Sequence, residues 1–193
     1  MVSFTPYWKR PDLPRLLGVL ALLWSFNSAG QGIHVKSAEL VANAGEYYLS
    51  ANFEVELNST LEEALVRGVA LHFVVQFEVI YPRWYTLYLW NRRIVAHEQR
   101  YRLAYNALTR QYRLSIDSLH QSFDTLEEAL ALLGRFSRRR VLDTDALVSG
   151  RVYEAQIRMA LDTKQLPKPF QIDALASRDW SLASEWYRWT LTP

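Results

Sequence analysis

Tyr47-Tyr-Leu-Ser-Ala-Asn-Phe-Glu-Val-Glu-Leu57, followed at once by Thr60-Leu-Glu-Glu-Ala-Leu65, carries two periodicities in one short stretch. In the first run Tyr47, Leu49, Ala51, Phe53, Val55 and Leu57 fall on one side, and Tyr48, Ser50, Asn52, Glu54 and Glu56 on the other. A period of two with one apolar and one polar side is a strand with one wet face. In the second run Leu61, Ala64 and Leu65 recur at the spacing of a helix face. Ser59 with Glu62, or Thr60 with Glu63, fits a capping box, in which hydroxyl and carboxylate satisfy two free backbone N–H groups. Gly68 is placed for a C-terminal stop. Two turns of helix are not stable alone, so this segment is expected to be a strap packed across a sheet.

The six letters return as Thr125-Leu-Glu-Glu-Ala-Leu130, 65 residues on. At the same offset Tyr47, Leu49 and Ser50 meet Tyr112, Leu114 and Ser115; with a longer insertion Trp84-Tyr85 meets Trp186-Tyr187. This reads as an internal duplication with pseudo-repeats 33–95 and 97–191. Asn43-Ala-Gly45 supplies a turn. Val69 to Tyr81, with Leu71, Phe73, Val75, Phe77 and Val79 on one face, reads as a central strand. Pro82 stops it, and Trp84 to Trp90 begins another. The second half follows the same order: strands at Gln99–Tyr105 and Tyr112–Ile116, a helix capped by Asp124 or Thr125 and ending before Gly134, then Arg135–Gly150, where the copies diverge. Tyr153, Ala155, Ile157, Met159 and Leu161 form one more inward face. Leu166-Pro-Lys-Pro-Phe170 reads as an extended connector, and Trp186 to Leu191 as the partner of the Trp84 strand. The expected fold is mainly β: an antiparallel sandwich of about eight strands, two ββαββ halves with two short helices in a single domain 31–193.

Lys9, Arg10 and Arg15, the apolar run Leu16–Phe26 and the small residues Ser28, Ala29 and Gly30 have the order of a secretory signal peptide, residues 1–30. Eleven apolar residues reach only ~16 Å, against ~30 Å of hydrocarbon, so cleavage is favoured over an uncleaved anchor. The expected address is the periplasm or another exported location. The chain has 22 basic and 20 acidic residues; the first thirty hold three basic and one acidic, which leaves 19 of each. A neutral mature domain has no broad field for nucleic acid or anionic lipid. With no cysteine, disulfides and thiolate metal sites are excluded.

Several stretches together carry a resemblance: Phe73-Val-Val-Gln-Phe-Glu-Val79, Pro82-Arg-Trp84, Leu108-Thr-Arg-Gln-Tyr-Arg-Leu-Ser115, Leu119-His-Gln-Ser-Phe123, Gln165-Leu-Pro-Lys-Pro-Phe-Gln171, and Ser177-Arg-Asp-Trp180 through Ser184-Glu-Trp186. The chain resembles an exported proteobacterial family, domain-of-unknown-function family 4390 (DUF4390), over essentially the whole mature length. The resemblance implies an export signal and one mature domain. It brings no activity, cofactor or catalytic residue. It also implies a partner, because genes of the family often neighbour a membrane sensor kinase of the nitrogen-regulation type.

His34, His72, His97 and His120 lack the close spacing of a zinc site, and no Gly-x-Ser-x-Gly elbow is present. His120 between Asp117 and Asp124 is too local for a triad, whose members converge from distant segments. Glu62-Glu63 and Glu127-Glu128 read as first-turn acids that complement the helix dipole. The expected catalytic, cofactor and metal residues are therefore none. The candidate partner surface is Trp84, Tyr88, Trp90 and Trp186, from an aromatic set that also holds Trp180 and Trp189. Arg138, Arg139 and Arg140 stand at its rim, placed at a helix C-terminus. The expected function is a non-enzymatic, protein-binding accessory module of the cell envelope, its partner an envelope protein such as the periplasmic part of a membrane sensor kinase. The alternatives are a small-molecule or lipid binder in an inter-sheet cavity, and a small outer-membrane β-barrel.

Overall fold

A computed structural model describes residues 32–81 and 92–193 of the chain. The alternating run at Tyr47 becomes the second strand of a hairpin, β1 (Ile33–Asn43) and β2 (Glu46–Val55). Ala44 and Gly45, at φ 51° and 85°, make the two-residue turn between them. Both angles are positive, as a turn matching strand twist requires. Helix α1 (Ser59–Val66) leads to β3 (Leu71–Tyr81), then β4 (Arg92–Asn106), β5 (Gln111–Ile116) and β6 (Leu119–Phe123). Helix α2 (Leu126–Leu133) leads to β7 (Arg135–Asp143), β8 (Tyr153–Leu161), helix α3 (Lys168–Ala176) and β9 (Tyr187–Leu191). Among the described residues all pairings are antiparallel, in a three-stranded sheet β1-β2-β7 and a six-stranded sheet β6-β5-β4-β3-β8-β9. The arrangement is open and sandwich-like.

Each repeated helix moves the chain between sheets. Helix α1 carries it from β2 of the smaller sheet to β3 of the larger, and α2 carries it back from β6 to β7. The strand order is not repeated. β3 lies between β4 and β8, whereas β7 pairs with β2. The last strand, β9, pairs with β8; the Trp84 segment expected as its partner lies outside the described residues.

The strand faces fall where alternation puts them. Leu49, Leu71, Phe73, Val79, Leu103, Ala155, Ile157 and Met159 have no exposed surface and join Leu61, Leu65, Ala129 and Leu133 of the helices in one hydrophobic cluster. A buried Leu or Phe contributes roughly 1.5–3 kcal/mol over an exposed one, so this cluster is the main source of stability. Gln31–Pro193 forms one compact unit.

Three segments differ from expectation. Arg135–Asp143 is no divergent insertion but β7, masked in sequence because only Phe136 and Leu142 are buried along it. β6 pairs with β5 through a turn at Asp117 (φ 52°), yet no side chain along it is fully buried; without a buried face there is no alternation to read. The connector at Leu166 is the start of α3, with Pro167 at the N-cap and Pro169 in the first turn. Proline costs nothing there, because first-turn N–H groups have no helical partner.

Candidate functional site

Of the expected surface residues, Trp84, Tyr88 and Trp90 lie outside the described residues. Trp186 is half-buried just before β9, with the Arg158 guanidinium 4.5 Å from its ring centre. Arg158 Nε donates to Gln76 Oε1 (2.8 Å), and Gln76 Nε2 donates to Glu98 Oε1 (2.8 Å). Beside this row Arg188 donates to Gln156 (3.1 Å) and Gln156 to Glu78 (2.9 Å). These chains cross β4, β3, β8 and β9 on the wet face of the larger sheet and border an open hollow of about 340 Å³. Cover for Trp186 is thus an arginine of its own chain, a cation–π pair. Trp180 belongs to the core, buried against Phe170 at 5.4 Å. Trp189 packs on Phe77 at 6.1 Å and extends the core toward Tyr187.

The arginines sit on the other sheet, so the structure does not join them to Trp186. They lie along β7, and only Arg135 directly follows a helix end. Arg140 is paired with Asp143 (2.7 Å) and Glu46 (3.0 Å); the bond to Asp143 first, then the charge of Glu46, raises its pKa above the usual guanidinium value. The Tyr48 hydroxyl donates to the same Glu46 carboxylate, and that bond raises the phenol's pKa. Arg138 stands at φ 43° at an irregularity in the β2–β7 ladder, its N–H donating to Ser50 Oγ (3.2 Å). Arg138 and Arg139 make no ion pair with a described residue.

The site that sequence reasoning missed lies between the two repeated helices. Pairing of β2 with β7 ends at Asn52 opposite Arg135. Beyond it, the Phe53 N–H donates to the Gly134 carbonyl (2.8 Å) at the end of α2, while Glu56 N–H donates to Gly32 O (2.9 Å) beside β1. Backbone groups two residues apart in a strand point the same way. The N–H and C=O of Val55 therefore face away from β1, where no described strand meets them. A groove of about 670 Å³ opens along this edge, walled by Leu126, Glu127, Leu130 and Ala131 of α2 and reached by Glu62 of α1. A second hollow of about 510 Å³ shares Glu62 and Leu126 and adds Val66, Arg67 and Tyr112. Both copies of Thr-Leu-Glu-Glu-Ala-Leu thus line one depression.

Its charge is unevenly settled. Lys36 pairs with Glu54 (2.6 Å) and Arg67 with Glu63 (3.1 Å). Glu56, Glu62 and Glu127 make no ion pair with a described residue. Acids of both copies act on Tyr112, whose pKa is raised by burial first, then by Tyr105, Glu127 and Glu62. The signal for this site was present in the repeat itself: two identical acidic straps in one small domain. Their sharing of a groove is a fact of tertiary structure.

Among the described residues no group of three or more histidines and carboxylates is placed to hold a metal ion. The Nε2 of His97, on β4 opposite Phe77, is buried without a partner among them. No described helix is long and apolar enough to cross a membrane.

Fold and site together define a two-sheet antiparallel β protein with helical crossovers that flank an acid-rimmed surface groove. The chain belongs to the family described as a domain of unknown function, DUF4390, whose model matches residues 30–190. No curated protein and no solved structure matches it.

Proposed function

We propose that the chain is a non-enzymatic, exported module that binds a protein of the cell envelope through the groove between α1, α2 and the free end of β2. The observation that carries this reading is the groove's make-up: an open depression of about 670 Å³ where an apolar helix face meets a strand edge. Strand edges and apolar grooves are two of the surfaces by which folded domains take up segments of other proteins. The aromatic face at Trp186 supports the reading less, because Arg158 already covers the ring.

A photo-crosslinking side chain at Ala131, exposed on the groove wall, tests it in cells. The expected result is one crosslinked envelope protein, absent when the same side chain stands at Ser122 on the exposed edge strand β6. Identical products from both positions would remove the groove as the binding surface.

A further inference from the structure

The groove has a feature that a general apolar patch lacks. Asn52 through Leu57 line it without a break, although Phe53, Val55 and Leu57 turn their side chains into the core. What they present to the groove is main chain. Val55 there carries an N–H and a C=O with no described strand opposite. Natural proteins block such edges because they template pairing with another chain. Among the described residues the Gly134 carbonyl closes this edge at Phe53 and leaves Val55 open.

The charges beside this edge have one sign in excess. Glu54 and Glu56 flank Val55 on the wet face of β2, and Glu62 and Glu127 reach in from the two helices. Lys36 offsets Glu54, and Arg135 is the other cation on the lining. Four acids against two bases leave the groove with a surplus of two negative charges. Side chains of an added strand would alternate between the helix-lined floor and this rim.

Resting on the protein-binding reading above, we propose that the occupant is an extended, basic segment of a partner protein. It adds as a short strand to β2 at Val55, with apolar side chains toward Leu126 and Leu130 and lysines or arginines toward Glu56, Glu62 and Glu127. Backbone bonds give affinity, and alternating side chains give specificity.

The test uses Gln31–Pro193, a compact unit by itself, and fluorescence anisotropy of labelled ten-residue peptides. The probes are an alternating lysine–valine peptide, its glutamate–valine counterpart, and the lysine–valine peptide N-methylated at alternate backbone nitrogens. Only the unmethylated basic peptide is expected to bind. Glu56→Gln, Glu62→Gln and Glu127→Gln should each weaken it about threefold, and Glu185→Gln, outside the groove, should leave it unchanged. Ala131→Arg should abolish binding with the circular dichroism spectrum and urea midpoint preserved.

Equal binding of the methylated peptide would overturn strand addition, and equal binding of the acidic peptide would overturn the charge assignment. Self-association on sedimentation that Ala131→Arg removes would assign the groove to a second copy of the chain instead. An in-cell crosslink at Ala131 without peptide binding would sink this inference alone. Peptide binding without such a crosslink would leave the peptide chemistry standing and remove the envelope partner.

Discussion

The two copies of Thr-Leu-Glu-Glu-Ala-Leu are both helical but enter the helix at different points. In α1 the cap is Asn58, whose side chain accepts the Leu61 N–H at 2.9 Å, and Thr60 is already inside the helix. In α2 the cap is Thr125 itself, the counterpart of Thr60, accepting the Glu128 N–H at 3.3 Å. The reason lies upstream. The residue matching Asn58 is Phe123, still paired in β6 with Tyr112, so the chain cannot turn before it leaves the sheet. The ends differ as well. Gly68, at φ 91°, closes α1: its N–H reaches Leu65 O, and the Val69 N–H reaches Ala64 O. In α2 the matching position is Leu133, fully buried, and the stop comes one residue later at Gly134, which lies against Phe53. Identical letters settle that a helix forms; the neighbours on either side settle its frame.

The largest expected effects concern burial. Leu65→Ala removes a side chain with no exposed surface and should cost about 3 kcal/mol in urea unfolding. Leu130→Ala, at the matching half-buried position, should cost about 1 kcal/mol. Equal losses would mean that the helices are packed alike, against the comparison.

Next come the stops. A Cβ on Gly134 would overlap the Phe53 carbonyl oxygen, a backbone atom that cannot swing aside. Gly134→Ala should therefore cost about 2 kcal/mol or more. Gly68→Ala has open space and only the strain of positive φ, about 1 kcal/mol. Thermal unfolding of the two variants side by side would expose a reversed order.

The caps sharpen the frame shift with one letter at two places. Thr125→Ala should cost about 0.5–1 kcal/mol through its lost cap, whereas Thr60→Ala should change stability by less than about 0.5 kcal/mol. Asn58→Ala should exceed both, since Asn58 Nδ2 also donates to Asp179 O at 2.6 Å. A Thr60 effect as large as that of Thr125 would contradict the assigned caps.

The smallest expected effect lies in the strands that the helices feed. His72 of β3 has Ser137 of β7 as its counterpart at the same offset. Burial, and then the nearby Arg102, lower the His72 pKa below its ordinary 6.5, with Asp162 opposing. The unfolded chain then takes up this proton at higher pH than the folded one. Stability is thus complete above about 6.5 and falls as pH drops through the folded value. His72→Asn should flatten that part of the stability profile, while Ser137→Asn should leave it unchanged.

Much of this was legible locally. The inward sets at Tyr47–Leu57, Leu71–Val79 and Tyr153–Leu161 follow from alternation, and the Ala44-Gly45 turn from its residues. β6, which has no buried face, and the arginine-bearing β7, along which only Phe136 and Leu142 are buried, left no such trace. The candidate surface read from the tryptophans and the arginines drew together Trp186 and Arg138–Arg140, which the fold sets on different sheets. Trp186 stands on the larger sheet, Arg138–Arg140 on the smaller, and the Trp84 segment is outside the described residues. The acid pairs of the repeats passed as ordinary first-turn carboxylates, which Glu62, Glu127 and Glu128 are in their own helices, whereas Glu63 lies beyond the first turn of α1.

The sequence by itself determined the mainly β class, the faces of its principal strands and the presence of two short helices. Those properties rest on contacts between near neighbours along the chain. Tertiary structure alone decided which sheet each strand joins, in which frame each repeated helix starts, and that Glu62 and Glu127 rim one groove. Those are meetings of residues far apart in the chain, chosen by the packing of the common core, and no local period encodes them.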